Sequence, residues 1–146
     1  SMVSMSPGDA SCPPECTNCD TVTNTCEIVF GFNQGDGATV DCPADWACAI
    51  TCDVSGCEAA TVNCPAGDYA CGLTCLFGSA TCRDAVLNCG GGTCDLLCEG
   101  GAASCSDIVV NCGEGDLSSS CDNPFTDGVA VDGGSGCSCE LDASCL

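Results

Sequence analysis

The stretch Asp41–Cys52, DCPADWACAITC, places three cysteines close together with no histidine or lysine nearby. Thiols at this density ligate soft metals, act as nucleophiles, or close disulfides. A nucleophilic role needs a neighbouring base, most often histidine, and the whole chain contains no histidine and no lysine. Carboxylates are then the remaining catalytic groups, because paired acids can run general acid–base chemistry. The 21 acids are spread as a solvated coat and no motif singles out a pair, so the chain is expected not to be an enzyme. Structural zinc usually announces itself as two Cys-x2-Cys pairs or as Cys2His2. Here Cys-x2-Cys occurs once, at Cys16 and Cys19, and the recurring spacing is Cys-x3-Cys. No resident metal or other cofactor is therefore expected, and a soft-metal thiolate store is the alternative. The cysteines read as staples.

Composition supports that reading. The 146 residues suffice for one domain and include 21 cysteines, 19 glycines and only 4% aromatics. Thiols in such number would stay reduced in a cytosol, which points to an oxidising compartment and a secreted or cell-surface protein. The formal charge is −20, with Arg83 as the single base. Such a surface repels phosphate backbones and anionic headgroups, so neither nucleic acid nor membrane insertion is expected. The opening SMVSMSPGDA is too polar and short for a signal peptide or a membrane span. It reads as the start of a mature chain, with Ser1 and Met2 as a tag-cleavage remnant.

The elements that must position the cysteines are repeats. The leading cysteines Cys42, Cys64, Cys89 and Cys112 are 22, 25 and 23 residues apart (64−42, 89−64, 112−89). A period in the low twenties that stretches only between cysteines suits a solenoid coil with variable corners. Each coil carries a Cys-x-(Ile/Leu)-x-Cys strand: Cys48-Ile50-Cys52, Cys71-Leu73-Cys75 and Cys94-Leu96-Cys98. Alternation with period two puts those three residues on one face. The competing helix is too short to be stable, being hemmed by Gly, Pro and Asx residues. A second strand runs Ala38-Thr39-Val40, Ala60-Thr61-Val62, Ala85-Val86-Leu87 and Ile108-Val109-Val110, its first and third residues turned inward. Asp41, Asn63, Asn88 and Asn111 follow it in register and are expected to form a side-chain ladder along the stack.

So narrow a coil holds too few aliphatic side chains to offset its chain entropy of ~1–2 kcal/mol per residue. Disulfides across the lumen would supply the difference, at ~2–4 kcal/mol each. The coil sets are Cys42, Cys48, Cys52 and Cys57; Cys64, Cys71, Cys75 and Cys82; and Cys89, Cys94, Cys98 and Cys105. Spacing leaves open whether pairing runs within a coil or to the next. The expectation is a single all-β domain, a short disulfide-stapled β-solenoid of about four coils of 22–25 residues. Residues 31–112 form the coils, and irregular cysteine-rich caps occupy 1–30 and 113–146. The caps carry Cys12, Cys16, Cys19 and Cys26 at one end and Cys121, Cys137, Cys139 and Cys145 at the other. Because the count is odd, at least one thiol must be unpaired, capped or bonded to another chain through an intermolecular disulfide, with Cys145 the natural candidate.

At these columns the chain resembles a class of secreted cysteine-rich solenoid repeats. It is similar in construction to the disulfide-stapled insect antifreeze solenoids. The second resemblance implies ice binding through an ordered threonine array. Here the exposed columns read Thr39, Thr61, Val86, Val109 and Thr51, Thr74, Leu97, so threonine is lost from the later coils of each array. A glycan surface is a further candidate: Trp46 and Tyr69 occupy one repeat position beside Asp45 and Asp68, where aromatic faces and acids suit a pyranose ring. Calcium is a candidate ligand of the oxygen-rich loops Asn33–Gly37, Cys112–Asp116 and Asp122–Gly128, none of which has EF-hand spacing. The sequence thus points to a non-catalytic structural or adhesive scaffold module. The alternatives are glycan or ice binding along a repeat face, and candidate partners are a glycan, ice or a protein.

Overall fold

Alternation sets the strands. In Cys71–Cys75 the residues run buried, half-buried, buried, half-buried, buried, and Cys94–Cys98 repeats the pattern with exposed residues between. The computed structural model describes residues 12–99, 105–111, 113, 115, 117–121 and 130–132. The strands are β1 (Asn18–Asp20), β2 (Thr25–Phe30), β3 (Thr39–Asp41), β4 (Ala47–Cys52), β5 (Thr61–Asn63), β6 (Cys71–Cys75), β7 (Val86–Asn88), β8 (Cys94–Cys98), β9 (Val109–Asn111), β10 (Leu117–Cys121) and β11 (Ala130–Asp132). They form a six-stranded sheet in the order β1-β2-β4-β6-β8-β10 and a five-stranded sheet in the order β11-β9-β7-β5-β3. Every pairing is parallel except β1 with β2. Successive turns of chain add one strand to each sheet, which makes an all-β solenoid of about four turns with two sheets around a narrow lumen.

Cys48, Cys71 and Cys94 stack in register, as do Ile50, Leu73 and Leu96, and Cys52, Cys75 and Cys98. Across the lumen they meet Val62, Leu87 and Val110, with Ala60, Ala85 and Ile108 beside them, all buried. Thr81 is the one buried polar side chain among the described residues, and its hydroxyl accepts the Ser55 N–H at 3.1 Å.

Among the described residues, the coil disulfides all join neighbours within a coil. Cys42–Cys48, Cys64–Cys71 and Cys89–Cys94 close the corner entering the six-stranded sheet. Cys52–Cys57, Cys75–Cys82 and Cys98–Cys105 close the corner leaving it. This corrects the expectation of bridges across the lumen: two disulfide columns flank it, and aliphatic side chains fill the space between. Rings this short limit the loop entropy each bridge removes, to about 2–2.5 kcal/mol.

The corner leaving the six-stranded sheet has a backbone signature that spacing did not announce. Cys57, Cys82 and Cys105, then Ala59, Asp84 and Asp107, all hold φ of 56–60°. Left-handed backbone disfavours an L-residue by ~1–2 kcal/mol. Bonds between coils hold it there: the N–H groups of Cys57, Cys82 and Cys105 donate to the carbonyls of Gln34, Gly56 and Thr81 at 2.8–2.9 Å.

Strand pairing also runs past residues 31–112 at both ends. β2 stacks on β4 with Cys26 opposite Cys48 and Ile28 opposite Ile50, so a regular coil begins inside the segment expected to be an irregular cap. Phe30 stands where Cys52 stands one turn later, and its ring packs over Gly35, where a Cβ would lie 2.8 Å from it. That contact takes the place of the corner disulfide. The cap proper is β1, tied down by Cys12–Cys19 and Cys16–Cys26. At the far end β10 and β11 extend both sheets, with Cys121 in register with Cys98 and Leu117 with Cys94. Cys112, Cys137, Cys139 and Cys145 lie outside the described residues.

The expected ladder is present. Asn63 Nδ2 donates to Asp41 Oδ1 at 2.8 Å, Asn88 to Asn63 at 2.8 Å and Asn111 to Asn88 at 2.6 Å. Donation runs towards the N-terminus throughout, and the first rung only accepts, which is what a carboxylate does.

Candidate functional site

The corner entering the six-stranded sheet carries Asp45, Trp46, Asp68 and Tyr69. Asp45 holds φ 67°, and its carbonyl accepts Asn24 Nδ2 at 2.6 Å. This turns the chain so that Trp46 lies half-buried against the core just before β4. Tyr69, one turn on, donates its hydroxyl to Asp45 Oδ1 at 3.4 Å. In the third turn the equivalent residue is Gly92, where a Cβ would meet the Tyr69 carbonyl oxygen at 2.3 Å. The structure thus brings both rings and both acids to one corner. It also commits Trp46 to packing and the Tyr69 hydroxyl to a neighbouring coil, while the Asp45 and Asp68 side chains stay exposed.

The threonines divide between two faces. Thr39 and Thr61 head an outward column of the five-stranded sheet that continues with Val86 and Val109. Thr51 and Thr74 lie on the six-stranded sheet between Val29 and Leu97. Two adjacent threonines on each face make a short array in each case.

No protein-family model, curated protein or solved structure matches this chain. Its site is therefore read from geometry.

Metal chemistry has little to work with in the described part. The sulfurs of Cys12, Cys16 and Cys19, and those of Cys75, Cys98 and Cys105, cluster within 4.8 Å, and all six are in disulfides. A thiolate store would have to draw on other residues. In the loop 33–37, Asp36 Oδ1 accepts the Glu58 N–H at 3.1 Å, and Gln34 Oε1 accepts the Gly31 N–H at 2.8 Å. Both oxygens face the backbone. Glu114, Asp116, Asp122 and Asp127, which would serve the other two calcium loops, lie outside the described residues. The sole base, Arg83, donates to Glu58 at 3.0 Å and faces Asp84 at 3.8 Å.

Two features were not singled out from sequence. A cavity of about 210 Å³ opens at the N-terminal mouth of the lumen, lined by Glu15, Ile28, Phe30, Thr39, Val40 and Asp41. The corner leaving the six-stranded sheet also exposes Phe32 and Phe77, at 65% and 64%. Their signal was a phenylalanine two residues beyond the strand, in GFNQ and again in LFGS.

Proposed function

We propose that this chain is a non-catalytic scaffold module, structural or adhesive, secreted or held at a cell surface. The carrying observation is the interior. Disulfides and aliphatic side chains fill it, and no carboxylate among the described residues is buried. A catalytic acid or base is tuned by desolvation or by a close partner; the filled part of the lumen offers neither, and Glu15 and Asp41 at its open N-terminal mouth are exposed. Short covalent rings make each corner rigid, so the outer faces hold fixed geometry, which suits presentation of a surface. Disulfides in this number belong to an oxidising compartment.

The test is adhesion. Beads coated with the oxidised protein should be retained on cell-surface or matrix preparations, and beads coated with reduced, alkylated protein should not. Equal retention would mean that the folded scaffold contributes nothing. A second reading, glycan binding at the Asp45/Trp46/Asp68/Tyr69 corner, draws on the exposed acids beside two rings. It predicts that Trp46→Ala with Tyr69→Ala abolishes retention on a glycan column while the fold is kept.

A further inference from the structure

Among the described residues, the large apolar side chains left most exposed are Val22, Val29, Phe32, Phe77 and Leu97. Four of these share one edge. Val29 and Leu97 occupy a single outward column of the six-stranded sheet, three rungs apart with Thr51 and Thr74 between them. Phe32 follows β2 and Phe77 follows β6, at the corner next to that column. By the strand register the two rings stand two rungs apart, or ~10 Å at the usual spacing between strands. Val54 lies between them, and Gly78 packs against it so closely that a Cβ would come within 2.7 Å of its methyl carbons.

Leaving this edge bare is costly for so small a chain, since a buried phenylalanine gives far more than an exposed one and the protein has only four. Aromatic residues gathered with aliphatic ones on an exposed edge mark a protein contact. The rim decides which kind. Glu27 and Asp95 share the neighbouring outward column, and Asp53 and Glu99 sit at the corner itself, the latter accepting the Phe77 N–H at 3.4 Å. The single base of the chain is engaged elsewhere, with Glu58 and Asp84. A second copy would bring two such acidic rims together, each on a molecule of charge −20. A polypeptide with an apolar stripe bordered by lysine or arginine would match both the stripe and the rim.

We infer that the Val29–Phe32–Phe77–Leu97 edge is a docking surface for a cationic, apolar-striped polypeptide segment. The inference rests on the scaffold reading and names the class of partner that such a scaffold holds. The probe is a fluorescent 18-residue amphipathic Leu/Lys peptide, titrated by anisotropy, with oligolysine and a Leu/Glu peptide as controls. The native protein should bind the Leu/Lys peptide more tightly than oligolysine and should not bind the Leu/Glu peptide. Phe32→Ser with Phe77→Ser should weaken Leu/Lys binding at least tenfold and leave oligolysine binding unchanged. Both side chains are about two-thirds exposed, so the fold should survive, as circular dichroism and a non-reduced mass would verify. Asp95→Asn with Glu99→Gln gives an independent arm and should flatten the salt dependence of binding. Unchanged affinity in the phenylalanine variant, or equal binding of the Leu/Glu peptide, overturns the assignment. So does phenylalanine-dependent retention on cellulose or chitin without peptide binding, which would make the edge a glycan surface. Bead adhesion that persists in the phenylalanine variant leaves the scaffold reading standing while this assignment falls.

Discussion

Replacing Gly90 by alanine tests how tightly the coils are stacked. An added Cβ at Gly90 would lie 2.0 Å from the Pro65 carbonyl oxygen and 3.0 Å from its carbon. Ordinary contact needs about 3.4 Å, so the two turns would have to part locally by more than an ångström. They are held on both sides. Cys64 N–H donates to Asn88 O and Cys89 N–H to Asn111 O at 2.9 and 2.8 Å, and Cys64–Cys71 and Cys89–Cys94 fix the same corner covalently. The obstructing atom is backbone, so no rotamer change relieves the clash. Overpacking without an escape costs about 3 kcal/mol, or roughly 10 °C in Tm for a domain of this size. Gly37→Ala is the matched control. It has φ 69° but nothing within 4 Å of the new methyl, and its counterpart one turn on is Ala59, so about 1 kcal/mol is expected. Thermal unfolding followed by circular dichroism without reductant gives both values. If Gly90→Ala stays within about 0.5 kcal/mol of the parent, or proves milder than Gly37→Ala, the close stacking of these turns is wrong.

Further expectations concern the staples, the ladder and the left-handed corner. Cys75→Ala with Cys82→Ala opens a ring of sequence separation 7 and should lower stability by about 2.5 kcal/mol, read from the denaturant midpoint; no change would count against the staple argument. Non-reduced peptide mapping should recover the six coil pairs, beginning with Cys42–Cys48 and Cys52–Cys57. Any bridge found between coils would contradict the corner columns. Asn88→Ala removes two rungs of the ladder and should cost about 1–2 kcal/mol, whereas Asp41→Asn keeps an acceptor and should be nearly neutral. Ala59→Gly relieves a left-handed alanine and should gain up to about 0.5 kcal/mol in the same unfolding assay.

Much of this architecture can be read in the sequence because a stacked coil writes itself repeatedly. The Cys-x-(Ile/Leu)-x-Cys strands, the inward aliphatic columns and the Asp41–Asn111 ladder all lie where periodicity places them. Connectivity was not legible, since the same spacings allow pairing within or between coils and only corner geometry separates the two. The coil at β2 was missed because its corner lacks the two cysteines that mark the others. Yet Cys26–Cys42 aligns without a gap onto Cys48–Cys64, with Phe30 and Gly35 in the cysteine places. The left-handed positions were hidden for a related reason: cysteine, alanine and aspartate fill them where glycine would have signalled the turn. For the candidate surfaces, sequence brought Trp46 and Tyr69 to one corner but could not show that one ring packs inward. It also passed over Phe32 and Phe77, because a single exposed phenylalanine in a loop carries no pattern until the register of its neighbours is known.

The short disulfide rings bear on how the chain behaves under load. The three coils differ in length, at 22, 25 and 23 residues between rungs. Their paired rings span 6 and 5, 7 and 7, and 5 and 7 residues. Removing the ringed spans from each coil leaves the same 11 residues in all three. All length variation is sequestered inside covalent loops that tension cannot reach. Pulled from its ends, each coil would lengthen by one common step, about 37 Å of free chain plus two short crossings of the rings. Coils that look unequal in sequence are thus mechanically interchangeable, and reduction would restore their differences.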